Sequence, residues 1–516
     1  MTAFRLATVD VVVMVAYLVG IVALGLWAAR RQRTEEDYFL AGRSLTWPLI
    51  GASLFASNVS SSSFIGLTGD AYRVGVAVYN YEWFAVVALV VFVVVFLPLY
   101  LRARVYTLPE YLERRFDGRV RLVVSALSIA SNVLLESAGT LYGAALVVRL
   151  LYPEVPMAWA VLGLGALTGL YTVVGGLRAV VYTDAVQAVV LLAGALTVAV
   201  LVSRQIGWGE VLAATPPDAH HLIRPLGDDT LPWLGLVTGL PLLGVYYWCS
   251  NQYVVQRALG ARTLRDGRLG ALFAGALKLP LLFVVVLPGL YARALYPDLA
   301  RPDLAFPTLI VEVLPVGVRG AVLVALLAAL MSSLDSTLNA AGTLVTMDFV
   351  RRVRPSASGR TLVRVGRWTT AAVLVLGMLW APQIGRFPSL WEYLQSVLAY
   401  VTPPVAACFL FGALWPRATT AGALAALGVG LATALALLVS PVDVHFLYAA
   451  AIVFAASALA MVAASLATAP PPPEARDVVW RPTLALPEPG ATGLADYRLL
   501  AGLLLAVTVG VVAAFW

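Results

Sequence analysis

Ser57-Asn58-Val59-Ser60-Ser61-Ser62-Ser63 is the stretch on which the reading of this chain turns. It interrupts an otherwise apolar segment at 46–68, and Gly66 and Gly69 follow shortly after. A spanning helix needs about 20 mostly apolar residues. Serine hydroxyls and freed backbone carbonyls at that depth are tolerated mainly where they line a cavity, so a broken helix of this kind points to a binding site inside the bilayer. The competing reading is a serine-rich packing face that lets helices approach closely. Seven successive residues, however, cannot all face one neighbour.

The rest of the chain supplies the membrane setting. Of its 516 residues 61% are hydrophobic and 12% charged, with a mean hydropathy of +0.87; a soluble domain carries roughly twice that charge. Hydropathy predicts fourteen helices near 8–29, 46–68, 76–101, 122–150, 157–176, 182–203, 232–257, 269–295, 312–347, 365–383, 388–414, 419–440, 444–467 and 497–515. The run 11–29 is too long for a signal-peptide core, lacks a small-residue cleavage site and is followed by Arg30, Arg31 and Arg33, so it reads as a retained helix. Arginine blocks at 30–43, 102–121, 257–268 and 351–367 fall on one side of the membrane if the N-terminus is outside, and the C-terminus then lies outside too. That placement accounts for the net charge of +7 without a nucleic-acid partner. Cys249 and Cys408 fall inside spans and predict no disulfide framework. Residues 469–496, which include four consecutive prolines, read as a cytoplasmic linker before the last helix. No Walker-type loop, HExxH motif or nucleophile with its base stands in the sequence, which argues against an ATP-driven pump and a membrane enzyme.

Charges inside the spans are the next signal. Lys278 is the only lysine among 35 basic residues, and it sits mid-span in 272–287, where an unpaired charge is costly and snorkelling is difficult. A carboxylate or a substrate hydroxyl is expected beside it, and a compact ammonium suits that role better than a guanidinium. Glu82 and Glu136 are the candidate partners; a purely structural ion pair is the alternative. A second constellation is Asp184 with Ser332-Ser333-Leu334-Asp335-Ser336, where helical spacing puts Ser332, Asp335, Ser336 and Asn339 on one face. Oxygen-only ligands suit a hard cation such as sodium, and the same face would also serve to hydrogen-bond a neighbouring helix. Gln395 is a lone polar residue in its helix, and His220, His221 and His445 sit at loops or helix ends, so no proton relay is built from them.

These residues resemble the sodium/solute symporter family, most closely its sodium/glucose and sodium/galactose branch. The matching stretches are Glu36-Asp37-Tyr38-Phe39-Leu40-Ala41-Gly42-Arg43, Gly51-Ala52-Ser53-Leu54 through Asn58, Tyr81-Glu82-Trp83, Gly175-Gly176-Leu177 with Thr183-Asp184, Tyr247-Trp248 with Asn251-Gln252 and Gln256-Arg257, and Ser332-Ser333-Leu334. The resemblance implies an all-α polytopic membrane protein of the leucine-transporter fold. Its parts are an extra helix and loop at 1–45, inverted five-helix repeats at 46–203 and 232–415 joined by an extracellular loop at 204–231, two accessory helices at 416–468, the linker, and a terminal helix at 497–516. It implies a sodium site on the carbonyls of Ala56, Val59 and Ala329 and the hydroxyls of Ser332 and Ser333. A second sodium site, found in some members, would use Asp184, Ser332, Asp335 and Ser336. Glu82, Lys278 and Gln395 carry over as sugar-hydroxyl partners, with Asn58 near the site and Tyr247 beside Trp248 as an aromatic gate. The galactose-carrying pattern has glutamine where Ser63 stands and asparagine where Glu136 stands, which suits another hexose, an inositol or a cationic group.

The expectation is therefore a symporter in a bacterial inner membrane that couples Na+ to import of a sugar or polyol by alternating access, with membrane lipid around it and no obligatory protein partner. The rival readings are a carrier of an organic anion, such as a sialic acid or monocarboxylate, or of an amino acid, and a non-transporting solute sensor.

Overall fold

The computed structural model describes residues 6–30, 34–387, 389–442, 444–488 and 492–516, so Arg31 and Arg33 of the first basic block lie outside the described residues. Among those residues the chain is helical, with no strand beyond two isolated bridges, Leu45 to Ala261 and Arg224 to Pro232. The elements that position the site are α1 (Thr8–Ala29), α2 (Trp47–Asn58), α3 (Ser61–Val74), α4 (Asn80–Val91), α5 (Gly118–Ser131), α6 (Met157–Ser203), α7 (Leu240–Val245), α8 (Gln252–Leu259), α9 (Leu264–Lys278), α10 (Val318–Leu344), α11 (Gly359–Trp380), α12 (Leu390–Val401), α13 (Pro403–Leu414), α14 (Thr420–Val439), α15 (Phe446–Ala467) and α16 (Tyr497–Ala514). Ten helices among the described residues are long and apolar enough to cross a membrane, or eleven if α12 and α13, bent by 52° about Thr402, form one span. This is fewer than the fourteen apolar segments in the sequence because several segments are broken or merged. The segments at 46–68 and 232–257 are interrupted partway, and that at 157–176 runs on into the next as α6.

Each interruption has a local cause. Val59, at φ −83° and ψ 80°, leaves the helix after α2, and Ser60 restarts it as the N-cap of α3, its hydroxyl accepting from the Ser63 N–H at 3.2 Å. The segment at 232–257 breaks the same way. A π-helical turn at Tyr246–Ser250 ends at Asn251, whose side chain accepts from the Tyr253 N–H at 3.1 Å to cap α8. In α6 the break falls on Gly176, at φ 55° and ψ −179°, a region essentially closed to residues with a Cβ.

Packing holds the broken helices at the centre. α2 lies along α9, close enough at Gly51 that a Cβ there would sit 2.7 Å from the carbonyl oxygen of Gly270. α10 packs along α6 and is almost wholly buried, whereas α1, α15 and α16 expose apolar side chains such as Val12, Val19, Leu459 and Val509. An apolar exterior around a core that buries serines and carboxylates is the polarity expected of a chain whose solvent is lipid. The described part of the linker before α16 is tied to the bundle at two points. The Arg268 guanidinium, fully buried, donates to the carbonyls of Leu484 at 2.6 Å and Leu486 at 3.1 Å and lies 4.1 Å from the Tyr497 ring centroid, while the Trp480 indole donates to the Val94 carbonyl at 2.9 Å.

Candidate solute pocket and ion site

The break between α2 and α3 opens onto a cavity of about 100 Å³. All eight residues expected to meet a solute line it: Asn58, Ser63, Glu82, Glu136, Tyr247, Trp248, Lys278 and Gln395. They come from α2, α3, α4, α9, α12 and two π-helical turns, Asn132–Ser137 carrying Glu136 and Tyr246–Ser250 carrying Tyr247 and Trp248. An extra residue in a turn re-aims the side chains around it, and π turns recur at functional sites for that reason.

Polar groups of every kind converge on the cavity. The Lys278 ammonium forms an ion pair with Glu82 and stands 5.1 Å from the Trp248 ring centroid, all three side chains being buried. Among the described residues the Glu136 carboxylate has no hydrogen-bond or ion-pair partner, so Glu82 and not Glu136 answers the lysine. Asn58 donates its amide to the Tyr247 hydroxyl at 3.1 Å. Two edge-on aromatic pairs contribute to the walls: Tyr247 against Trp248 with centroids 5.3 Å apart, and Tyr81 against Trp391, also 5.3 Å apart. Tyr81, Ser60, Ser62 and Trp391 were missed from sequence, although the first adjoins the Glu82 motif and the serines belong to the run that opened it.

The second constellation lies just behind α2. The Ser332 hydroxyl donates to the carbonyls of Ala56 at 2.8 Å and Ala329 at 3.2 Å, and Ser333 donates to the Ser57 carbonyl at 2.7 Å. Val59, whose carbonyl completes the expected five, is the residue at the break itself. On the neighbouring turn the Asp184 carboxylate accepts from Ser53 at 2.6 Å and Ser57 at 3.1 Å, and Ser57 in turn meets Ser336 at 2.8 Å, with Asp335 3.4 Å from Ser336. The other Asp184 oxygen is buried without a hydrogen-bond partner, a cost that a cation would remove. Two further residues tie the two sites together. The Tyr253 hydroxyl donates to the Ser57 carbonyl at 2.7 Å and lies 2.8 Å from the Tyr247 hydroxyl, while Arg257 donates to the carbonyls of Ser53 and Tyr253 at 3.1 and 2.7 Å. Ser53 and Arg257 stood in stretches that carry the resemblance, but no sequence feature assigned them these contacts; Tyr253 carried no signal of its own.

A polar pocket where helices are broken at the core of an apolar bundle is the architecture of a secondary transporter. The model of the sodium:solute symporter family matches residues 38–430, and the chain belongs to that family. It is 37% identical to the sodium/glucose cotransporter 4 of Danio rerio, over 91% of this chain and 80% of the relative, and 35% identical to the sodium/myo-inositol cotransporter 2 of Sus scrofa, over 90% and 77%. The structure described as the substrate-bound outward-open state of a Na+-coupled sialic acid symporter superposes with a TM-score of 0.81 over 90% of this chain and 99% of the other, at 22% identity. The inward-facing Mhp1 structure gives 0.54 at 14% identity. These likenesses establish the leucine-transporter fold that the sequence implied.

Proposed function

We propose that the chain is a Na+-coupled symporter that imports a neutral hexose or polyol by alternating access across a bacterial inner membrane, with both termini outside. The observation that carries the substrate class is the lining of the cavity: a buried Lys278–Glu82 pair, a free carboxylate at Glu136, amides at Asn58 and Gln395, and aromatic faces. A hydroxyl-rich ligand wants this mixture of donors, acceptors and ring faces. The cotransporters of glucose and myo-inositol among the relatives support the same class. An organic anion would meet two carboxylates and one ammonium already paired to one of them.

In this reading Na+ is bound by the carbonyls of Ala56, Val59 and Ala329 and the hydroxyls of Ser332 and Ser333, with Asp184, Asp335 and Ser336 as a second site. The serine hydroxyls, which donate to α2 carbonyls in the structure, would rotate to offer their lone pairs to the ion. Binding there clamps α2 to α10 and steadies Ser57 and Asn58, and with them the Tyr247 wall of the pocket. Coupling is reciprocal: sodium and solute raise each other's affinity by one factor. The membrane potential contributes about 2.3 kcal/mol per charge per 100 mV to uptake. The paired breaks at Val59 and Asn251 support inverted repeats at 46–203 and 232–415.

The test is uptake by the purified protein in liposomes of labelled hexoses, myo-inositol, a sialic acid and proline, with and without an inward Na+ gradient. Sodium-dependent accumulation of a hexose or inositol is expected; accumulation of an acid or amino acid alone would reject the sugar reading. Ser333→Ala should raise the sodium concentration for half-activation by roughly five- to tenfold, the worth of one lost hydrogen-bonding oxygen. An unchanged sodium dependence removes Ser333 from the ion site.

A further inference from the structure

Away from the solute pathway, a cleft of about 840 Å³ opens where α11 begins and α1 ends. Ala29 closes the first membrane span and Gly359 opens another, so the cleft lies where two spans meet the same face of the membrane, at headgroup depth. The exposed indoles of Trp27 and Trp368, 49% and 73% accessible, flank that level, the position tryptophan takes at a membrane interface.

Arg360, Arg364 and Arg367 all line this cleft. At spacings of four and three residues they form one stripe on α11. Among the described residues none of the three forms a salt bridge with a carboxylate, and the one acid in the lining, Glu35, is paired with Arg351 at 2.6 Å. Arg367 lies 6.0 Å from the Tyr38 ring centroid, which fixes the guanidinium at the cleft wall. Thr34 and Ser358 add hydroxyls to the lining. Three exposed guanidiniums on one stripe of α11, none with a carboxylate partner among the described residues, make this cleft attractive to an anion with several oxygens that can bridge them.

We propose that this cleft binds a phosphate group, supplied by the headgroup of an anionic phospholipid such as phosphatidylglycerol, and that this lipid fastens the first helix to α11. Clusters of arginine at the ends of spanning helices draw anionic lipid, and a bridging phosphodiester would satisfy the guanidiniums in a fork geometry.

The experiment is native mass spectrometry of the full chain in detergent, titrated separately with phosphatidylglycerol, phosphatidylcholine and inorganic phosphate. Discrete phosphatidylglycerol adducts are expected, with far fewer from phosphatidylcholine. The R360Q/R364Q/R367Q variant should bind phosphatidylglycerol roughly a hundredfold more weakly, about fivefold for each arginine. The R360K/R364K/R367K variant keeps the charge but loses the fork, so it should bind with an affinity between those of the wild type and the glutamine variant, which separates loss of the site from loss of the fold. Binding of inorganic phosphate with the same arginine dependence would keep the site and assign it to a soluble phosphate. Phosphatidylglycerol adducts that are unchanged in the glutamine variant, or equalled by phosphatidylcholine in the wild type, would overturn the proposal.

Discussion

At the scale of single residues the chemistry concentrates on Lys278 and Glu82, because two charges buried together are each needed for the other. Removing one leaves an uncompensated buried charge, at a cost of about 3–5 kcal/mol, whereas replacing both with apolar groups of similar size is close to neutral. Lys278→Ala should therefore lower the thermal unfolding midpoint markedly, while the K278M/E82L double variant regains most of that stability and still fails to accumulate solute. A double variant that is both stable and active would reduce the pair to scaffolding. Ser63 and Glu136 bear on which solute is taken. Restoring the side chains of the galactose-carrying pattern with S63Q/E136N should move the ratio of galactose to inositol uptake roughly thirtyfold toward galactose, at about 1 kcal/mol for each polar partner gained; an unmoved ratio would place both residues outside solute selection. Lys278 was legible in the sequence because a lone lysine in an arginine-rich chain sits mid-span. Its choice of Glu82 over Glu136 was not, since both glutamates lie in spans and only the three-dimensional packing separates them.

The elements tell a parallel story about breaks. The interruption at Val59 was legible because serine hydroxyls at membrane depth have no place in a continuous apolar helix. Its counterpart at Asn251 was hidden: Tyr246 to Cys249 reads as uninterrupted apolar and aromatic sequence, and the π turn that redirects it leaves no compositional mark. The sequence divided the helix at 157–203 near the Gly175-Gly176 pair, and Gly176 is where the backbone departs. Gly176→Ala forces a Cβ into that conformation at about 1–3 kcal/mol. It should lower the unfolding midpoint in detergent without altering the sodium dependence of the remaining uptake, since its turn carries none of the ion-site oxygens. A wild-type midpoint would mean that α6 straightens there at no cost.

Across the whole molecule, hydropathy revealed the membrane setting and most of the helices, but it carried no sign of how the proline-rich segment before the last one is held. The Leu484 carbonyl in the short 3-10 turn Pro482–Ala485, the Leu486 carbonyl just beyond it and the Glu488 carboxylate, 3.3 Å away, are what the buried Arg268 meets; composition alone carries no trace of that match. The segment therefore behaves as a strap that joins α9 to α16. Arg268→Ala should release it, so that limited proteolysis within 482–488 runs at least about tenfold faster, the worth of one charge-assisted hydrogen bond in the opening equilibrium. Cleavage at the wild-type rate would show that the Trp480 indole and the Tyr497 hydroxyl, which donates to the Ala485 carbonyl at 2.6 Å, hold the strap alone.

The single lysine has one more consequence. Apart from the chain terminus, the ammonium against Glu82 is the only primary amine in the protein, and it is 2% accessible at the solute pocket. An amine-reactive reagent small enough to enter therefore has one internal target, and its rate of attachment becomes a clock for how often the pocket opens and how firmly a bound solute keeps it shut. The protein carries its own conformational reporter without a cysteine having to be introduced.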